Sequence, residues 1–276
     1  VSQRSEPLPR IRVRPLTRAN LSIQLTLLGL TLLTLYSFTT FDTRGIGLVE
    51  ALQDMLNNFR LLLLEPRLRS VSFADLLEAL FVTVGLGLLT TVFGAIIAFF
   101  LALFAAQNLA PIWLNNLIKG GTAFIRAVPT VLWVLFFAVA AGMGSVAAVI
   151  GMTFHSAGYL IKAYAESFEE IDAGVLEALR ASGASWWQTV FQAVVPTSAS
   201  ALLSWTFVRF EINFSTAIAM GATAGAGGIG FDMFMASAFY LDLRELGAFT
   251  YAILVFAMAL EWFATHMKAR LGKSRE

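Results

Sequence analysis

The 276-residue chain is 58% hydrophobic and 13% charged, with net charge +1, two histidines and no cysteine. Soluble domains are about a quarter charged residues, so this chain carries more apolar surface than a water-soluble core of its length can hide, and a bilayer is the natural solvent for the excess. The balanced charge gives no basis for nucleic-acid binding, and the lack of cysteine excludes disulfide frameworks, cysteine zinc sites and iron–sulfur clusters.

The chain begins with a basic tail, residues 1–20, holding Arg10, Arg12, Arg14 and Arg18. The apolar run at 21–41 is longer than a signal-peptide core and lacks a small-residue cleavage site, so it reads as a first retained span. Further runs at 76–106, 112–141, 145–165, 194–220 and 246–266 bring the expected spans to about six. Lipid leaves backbone groups no outside partner, which makes each a helix and the fold an all-α polytopic membrane bundle. Lys and Arg concentrate in the two tails and at Lys119, Arg126, Lys162 and Arg180, which puts both termini in the cytoplasm of a multi-pass cell-membrane protein. The transmembrane domain is expected over 21–266, followed by a second basic tail, 267–276.

Between the first two spans, the outer segment 43–74 mixes apolar residues with Glu50, Gln53, Asp54, Asn57, Asn58 and Arg60. It predicts an amphipathic helix near 48–64, either on the membrane interface or packed on the bundle. Pro129, after Val128, predicts a kink or a helix start within the third stretch. On the fourth span, His155, Tyr159, Lys162 and Glu166 follow helical spacing and form one polar stripe. On the fifth, Arg209 and Asn213 share a face while Glu211 points elsewhere. Polar groups inside spans are costly and face protein or a watery path, so these residues are either a buried lock between helices or a pathway or gate. Arginine, lysine and histidine would suit an oxyanion, whose oxygens accept charge-assisted hydrogen bonds. Gly225, Gly227, Gly228 and Gly230 spell G-x-G-x-x-G, but they follow an apolar span with no preceding strand, so they read as an outer turn and not a dinucleotide site.

The polar segment 166–196 separates the fourth and fifth apolar runs. Residues 173–179 predict a short helix, Ser182-Gly183 a sharp turn, and 184–194 a second helix with Trp186, Val190, Phe191 and Val194 on its apolar face. Such a helix–turn–helix in the cytoplasm is a lever. Glu177-Ala178-Leu179, then Gly183-Ala184, then Pro196 resembles the E-A-A…G…P motif of the permeases of ABC importers, with Leu179 where alanine is usual and Ala193 near an expected isoleucine. The stretches 126–133, 155–166 and 210–213, and the glycine loop 225–230, resemble the phosphonate and phosphate branch of that family.

The resemblance implies the transmembrane domain of a type I importer. It implies a second permease copy (a homodimer), two ATPase subunits gripping the 166–196 coupling loop, and an extracytoplasmic binding protein near the glycine loop. The expected cargo is a phosphonate, phosphate or phosphite, with Arg126, His155, Tyr159, Lys162, Arg209, Glu211 and Asn213 as candidate pathway or gate residues. No G-x-x-x-x-G-K-[ST] stretch occurs, so the chain itself is read as no enzyme and as holding no cofactor, ATP and Mg being expected on the ATPase partner. Its two histidines, His155 and His266, are far apart and no H-E-x-x-H occurs, which leaves no catalytic or metal constellation. Carriage of another small solute such as an amino acid, and an ion-coupled transporter needing no ATPase, remain the alternatives.

Overall fold

A computed structural model describes residues 17–40 and 47–273; most of the N-terminal tail, residues 41–46 and the last three residues lie outside it. The described elements are helices: α1 Arg18–Thr40, α2 Leu48–Leu64, α3 Phe73–Ala105, α4 Ile112–Ala127, α5 Thr130–Ala141, α6 Ser145–Glu169, α7 Ala173–Ala181, α8 Trp186–Thr189, α9 Val195–Ala224, α10 Ile229–Phe234 and α11 Leu243–Lys273. Two π-helical turns, Val190–Val194 and Met235–Phe239, follow α8 and α10.

The chain divides into a small unit, residues 1–56, and a large one, residues 57–276. In the small unit α1 is an apolar helix with no buried residue. By length and composition, α1, α3, α6 and residues 243–266 of α11 can each cross a membrane, and α4 with α5 would make a fifth span if counted as one. The expected single span at 112–141 is instead two helices meeting at 89°. The cause is local: Val128 is extended (φ −90°, ψ 125°) ahead of Pro129, which cannot continue the hydrogen-bond ladder. The indole N–H of Trp133 spans the break and donates to the Ile125 carbonyl at 3.0 Å. The fifth predicted span is the 30-residue α9, long enough to cross but not among the helices apolar enough to qualify.

Helix α3 starts at a capping box, in which Ser72 and Asp75 satisfy each other's backbone N–H groups. Its 33 residues extend about 50 Å at 1.5 Å per residue, longer than a hydrocarbon layer of about 30 Å. Two glycines bring its backbone close to two other helices. A β-carbon on Gly87 would lie 3.1 Å from the Phe214 backbone on α9, and one on Gly94 2.8 Å from Cβ of Ser156 on α6. Small residues at such crossings allow backbones to approach without a hydrophobic driving force between the helices. One apolar cluster joins Leu103, Leu160, Phe168, Leu176, Val190 and Val194; others join Met152, Val134 and Met220, and Leu80, Phe214 and Phe249.

The predicted amphipathic helix is present as α2. In the large unit its last turns meet α11: Tyr251 donates to the Leu63 carbonyl at 2.6 Å, and Arg244 pairs with Glu65. The buried carboxylate of Glu245 accepts from the backbone N–H groups of Arg69 and Ser70 at 3.0 and 2.7 Å, which ties the turn before α3 to the start of α11.

Candidate functional site

A buried polar cluster sits where α3, α6 and α9 cross. Helical spacing places Arg209 and Asn213 on one face of α9, and both turn to Ser156 on α6. Arg209 Nε donates to Ser156 Oγ at 3.0 Å, and Nη2 lies 3.0 Å from Nδ1 of His155. Asn213 Nδ2 lies 2.8 Å from both Ser156 Oγ and Thr91 Oγ1. The guanidinium carbon stands 5.2 Å from the ring centre of Tyr159. Arg209 is 3% exposed. None of the ion pairs among the described residues includes it. The cluster is thus a buried cation held by neutral groups and an aromatic face.

The predicted stripe on α6 divides in two. His155 and Tyr159 belong to the Arg209 cluster, whereas Lys162 and Glu166 pair with each other at 3.4 Å on an exposed surface. Arg126, at the end of α4, is exposed and lies against Gly158, where its Cγ would be 3.5 Å from an added β-carbon. Glu211 faces away from the cluster, as its offset implied. With Ile212, Ser215, Thr216 and Ala219 of α9 and Thr130 and Val131 of α5 it lines an open groove.

Ser156 and Thr91 are the cluster members that the sequence did not single out. Serine and threonine inside membrane helices ordinarily bond the carbonyl one turn back, as Thr83, Thr90 and Ser167 do here. Nothing local marks Ser156 as the exception. The available signal was its position beside His155 and opposite Gly94.

The second feature is the 170–196 segment. Asp172 caps α7, and Gly183, at φ +81°, ends the helix with return bonds from Gly183 N to Arg180 O and from Ala184 N to Leu179 O. A side chain is strained at that backbone angle, so the glycine is required by geometry. Ser185 then caps α8 through a capping box with Gln188. Glu177, Ala178 and Gly183 are exposed and Ala184 is half-buried, while Leu176 is buried in the core.

The second predicted helix, 184–194, is corrected in two respects. It begins at Trp186 and not at Ala184, and α8, the π turn and α9 run on as one helical path. In the π turn Val195 N bonds Val190 O, five residues back, which opens the ladder just where the proline could not complete it. Of the predicted apolar face, Val190 and Val194 are buried and Trp186 is half-buried, but Phe191 is exposed.

This segment is bound to the 106–111 turn between α3 and α4. Arg180 Nη2 donates to Asn108 O at 2.7 Å and the Trp186 indole to Leu109 O at 2.9 Å, with the indole stacked on Phe104. Asn108 Nδ2 donates to Phe168 O at 2.8 Å, and Glu169 accepts from Gln107 N at 2.9 Å. Hydrogen bonds between residues far apart in the sequence thus tie α7 and α8 to the 106–111 turn, and that turn to the end of α6.

The predicted glycine turn is present at the other end of α9. Gly225, Gly227 and Gly228 all have positive φ. Gly230 lies on α10 directly against the Ile218 backbone. The loop is pinned where Ile229 N donates to Thr83 Oγ1 at 3.0 Å.

Residues 94–273 match the family of binding-protein-dependent transport system inner membrane components. The chain is 33% identical over 201 residues to the phosphate-import permease protein PhnE of Mycolicibacterium smegmatis, covering 71% of this chain and 37% of that protein. It is 30% identical to the phosphite transport system permease protein PtxC of Stutzerimonas stutzeri, covering 66% of each. The match thus spans between about a third and two thirds of these relatives' lengths. Among solved structures, an inward-facing form of the MetNI methionine ABC transporter superposes with a TM-score of 0.67 at 18% identity, over 74% of this chain and 99% of that one. A bacterial alginate ABC importer superposes with a TM-score of 0.64 at 14% identity, over 91% and 98%. At these identities the likeness establishes the fold, that of an ABC-importer transmembrane domain.

Proposed function

The chain belongs to the family of binding-protein-dependent transport system inner membrane components, and from that premise we propose that it is the permease subunit of an ATP-driven importer for a phosphorus oxyanion such as phosphate, phosphite or a phosphonate. The observation that carries the cargo class is Arg209, a buried guanidinium held only by neutral hydrogen-bond partners and a tyrosine face among the described residues. An uncompensated buried cation is costly, and an arriving oxyanion relieves that cost through the planar donor fork that suits its oxygens. The relatives named for phosphate and phosphite carriage support the same class.

In this reading two copies of the chain enclose the pathway, and both termini lie in the cytoplasm. A pair of ATPase subunits with bound ATP and Mg grips α7 and α8 around Glu177, Ala178 and Gly183. A binding protein docks outside, near the glycine turn, and supplies the cargo. Closure of the ATPases moves the 106–111 turn, and with it the helices that carry Thr91, Ser156 and Arg126. Pro196 and the π turn give α9 a compliant start.

The test is uptake of labelled phosphate, phosphite and methylphosphonate by proteoliposomes holding the chain with its ATPase and binding protein. ATP-dependent uptake of at least one is expected, with loss in Arg209→Met and partial retention in Arg209→Lys. ATP-dependent uptake of an amino acid but no phosphorus compound overturns the cargo. Uptake by the chain alone on an ion gradient overturns the mechanism.

A further inference from the structure

A second basic site lies at the coupling-loop end of the bundle. A pocket of about 280 Å³ opens between the end of α3, the α4 helix and the last turns of α6, lined by Lys119, Thr122, Arg126, Lys162, Glu166 and Glu169 among others. Three cations face two carboxylates. Both carboxylates are engaged, Glu169 with Lys119 at 3.0 Å and Glu166 with Lys162 at 3.4 Å. Glu169 also accepts from Gln107 N, so it is fixed in place and not free to swing to Arg126. Arg126 takes part in none of the ion pairs or hydrogen bonds among the described residues, and the pocket retains one unspent positive charge.

The pocket lies beside the buried cluster. The Arg126 stem rests against Gly158, one turn from His155, and His155 touches Arg209. From His155 to Glu169 is about 21 Å of helix at 1.5 Å per residue. Along it, basic groups follow one another: Arg209 with His155, then Arg126, then Lys162, then Lys119. The volume is at the lower limit of small-ligand pockets. It accommodates a tetrahedral oxyanion with water or a short organic tail. We propose that this pocket is an inner binding site for the transported phosphorus oxyanion, with the Arg126 guanidinium as its principal donor, occupied after Arg209 and emptied into the cytoplasm. The proposal rests on the importer reading above and adds a second station to it. The two lysines, already neutralised by their glutamates, weaken the hold enough for release, since a conduit that binds too tightly does not conduct.

An inner site makes uptake sensitive to cargo accumulated inside. The full transporter, with its ATPases and binding protein, is reconstituted in vesicles of neutral lipid, and in parallel with graded phosphatidylglycerol, preloaded with a range of inorganic phosphate concentrations, and uptake of labelled cargo is measured. Internal phosphate is expected to inhibit the wild type. The half-inhibitory concentration, taken relative to each variant's own uninhibited rate, is expected to rise about tenfold in Arg126→Gln, the equivalent of one charge-assisted hydrogen bond. Arg126→Lys, which keeps the charge and loses the fork, is expected to fall between the two. Wild-type inhibition curves in both variants overturn the proposal. So does inhibition that follows the phosphatidylglycerol content of the vesicles and not internal phosphate, which would make the pocket a lipid-headgroup site. Failure of the wild type to import any phosphorus compound overturns the importer reading instead, so the two failures are distinguishable.

Discussion

Gly94→Ala puts one methyl group at the contact on which the buried cluster depends. Its β-carbon would stand 2.8 Å from Cβ of Ser156 and 3.3 Å from the Ala157 backbone nitrogen. Carbon atoms in contact rest about 3.5–4.0 Å apart, so α3 and α6 must separate locally by roughly 0.7 Å or more. A β-carbon cannot rotate away; it moves only with its backbone. The bonds that converge on Ser156 Oγ are 3.0 Å from Arg209 Nε and 2.8 Å from Asn213 Nδ2. Lengthening by about 0.7 Å takes them to the limit of hydrogen bonding or past it. Overpacking costs about 1–3 kcal/mol, and loss of a bond to a charged group a further 1.5–3 kcal/mol or so. At about 2–4 °C per kcal/mol for a domain of this size, the melting point in detergent should fall by roughly 5–24 °C, with uptake lost. Gly85→Ala, on the same helix and with nothing within 4 Å, is the matched control. It should be neutral or stabilising by up to about 1 kcal/mol. If Gly94→Ala melts and transports like the wild type, the close α3–α6 crossing does not hold the cluster together.

The tie between the coupling segment and the 106–111 turn predicts that Arg180→Met with Trp186→Phe, which removes the hydrogen bonds to Asn108 O and Leu109 O, leaves the assembled transporter hydrolysing ATP while cargo moved per ATP falls severalfold. An unchanged ratio of uptake to hydrolysis would show that force travels by another route. Thr83→Val keeps the side-chain shape but orphans the buried Ile229 N–H that now donates at 3.0 Å, a cost of about 1–3 kcal/mol. Backbone amides of 225–231 should then exchange faster by mass spectrometry, and wild-type exchange in that segment would refute the pinning.

Helix identity was legible because lipid leaves the backbone one solution, and an apolar run of the right length announces it. At 112–141 hydropathy alone cannot separate two short apolar helices from one long one; Val128-Pro129 carried the break, and the sequence marked it there without its angle. The coupling segment was legible from its turn, since Gly183 takes a positive φ that residue type reveals, whereas the caps at Asp172 and Ser185 were not read from the sequence. The π turn before Pro196 was not, because a ladder shifted by one residue is set by packing of Val190 and Val194 into the core. The cluster was half legible. Arg209, His155 and Asn213 stand out as polar residues in apolar surroundings. Their organiser, Ser156, is bonded to residues 53 and 57 positions away, and such pairing leaves no local trace.

The choice of partners for Arg209 bears on whether it locks helices or meets cargo. A permanent lock is best served by a carboxylate, which offsets the buried charge once and for all. An anion entering such a site would have to displace that carboxylate. Here Arg209 has Ser156, His155 and Tyr159, all neutral acceptors or faces that can yield a donor without leaving a charge behind. On the proposed function, the empty site is the costly state and the occupied one the relieved state, which would draw an oxyanion in. Because the same donors have ready alternative partners on α6, departure leaves no hydrogen bond unmade. A lysine at 209 would keep the attraction but could not reach Ser156 and His155 together through one planar fork. Arg209→Lys should therefore loosen the cluster and retain part of the uptake, whereas Arg209→Met should abolish uptake while sparing the fold.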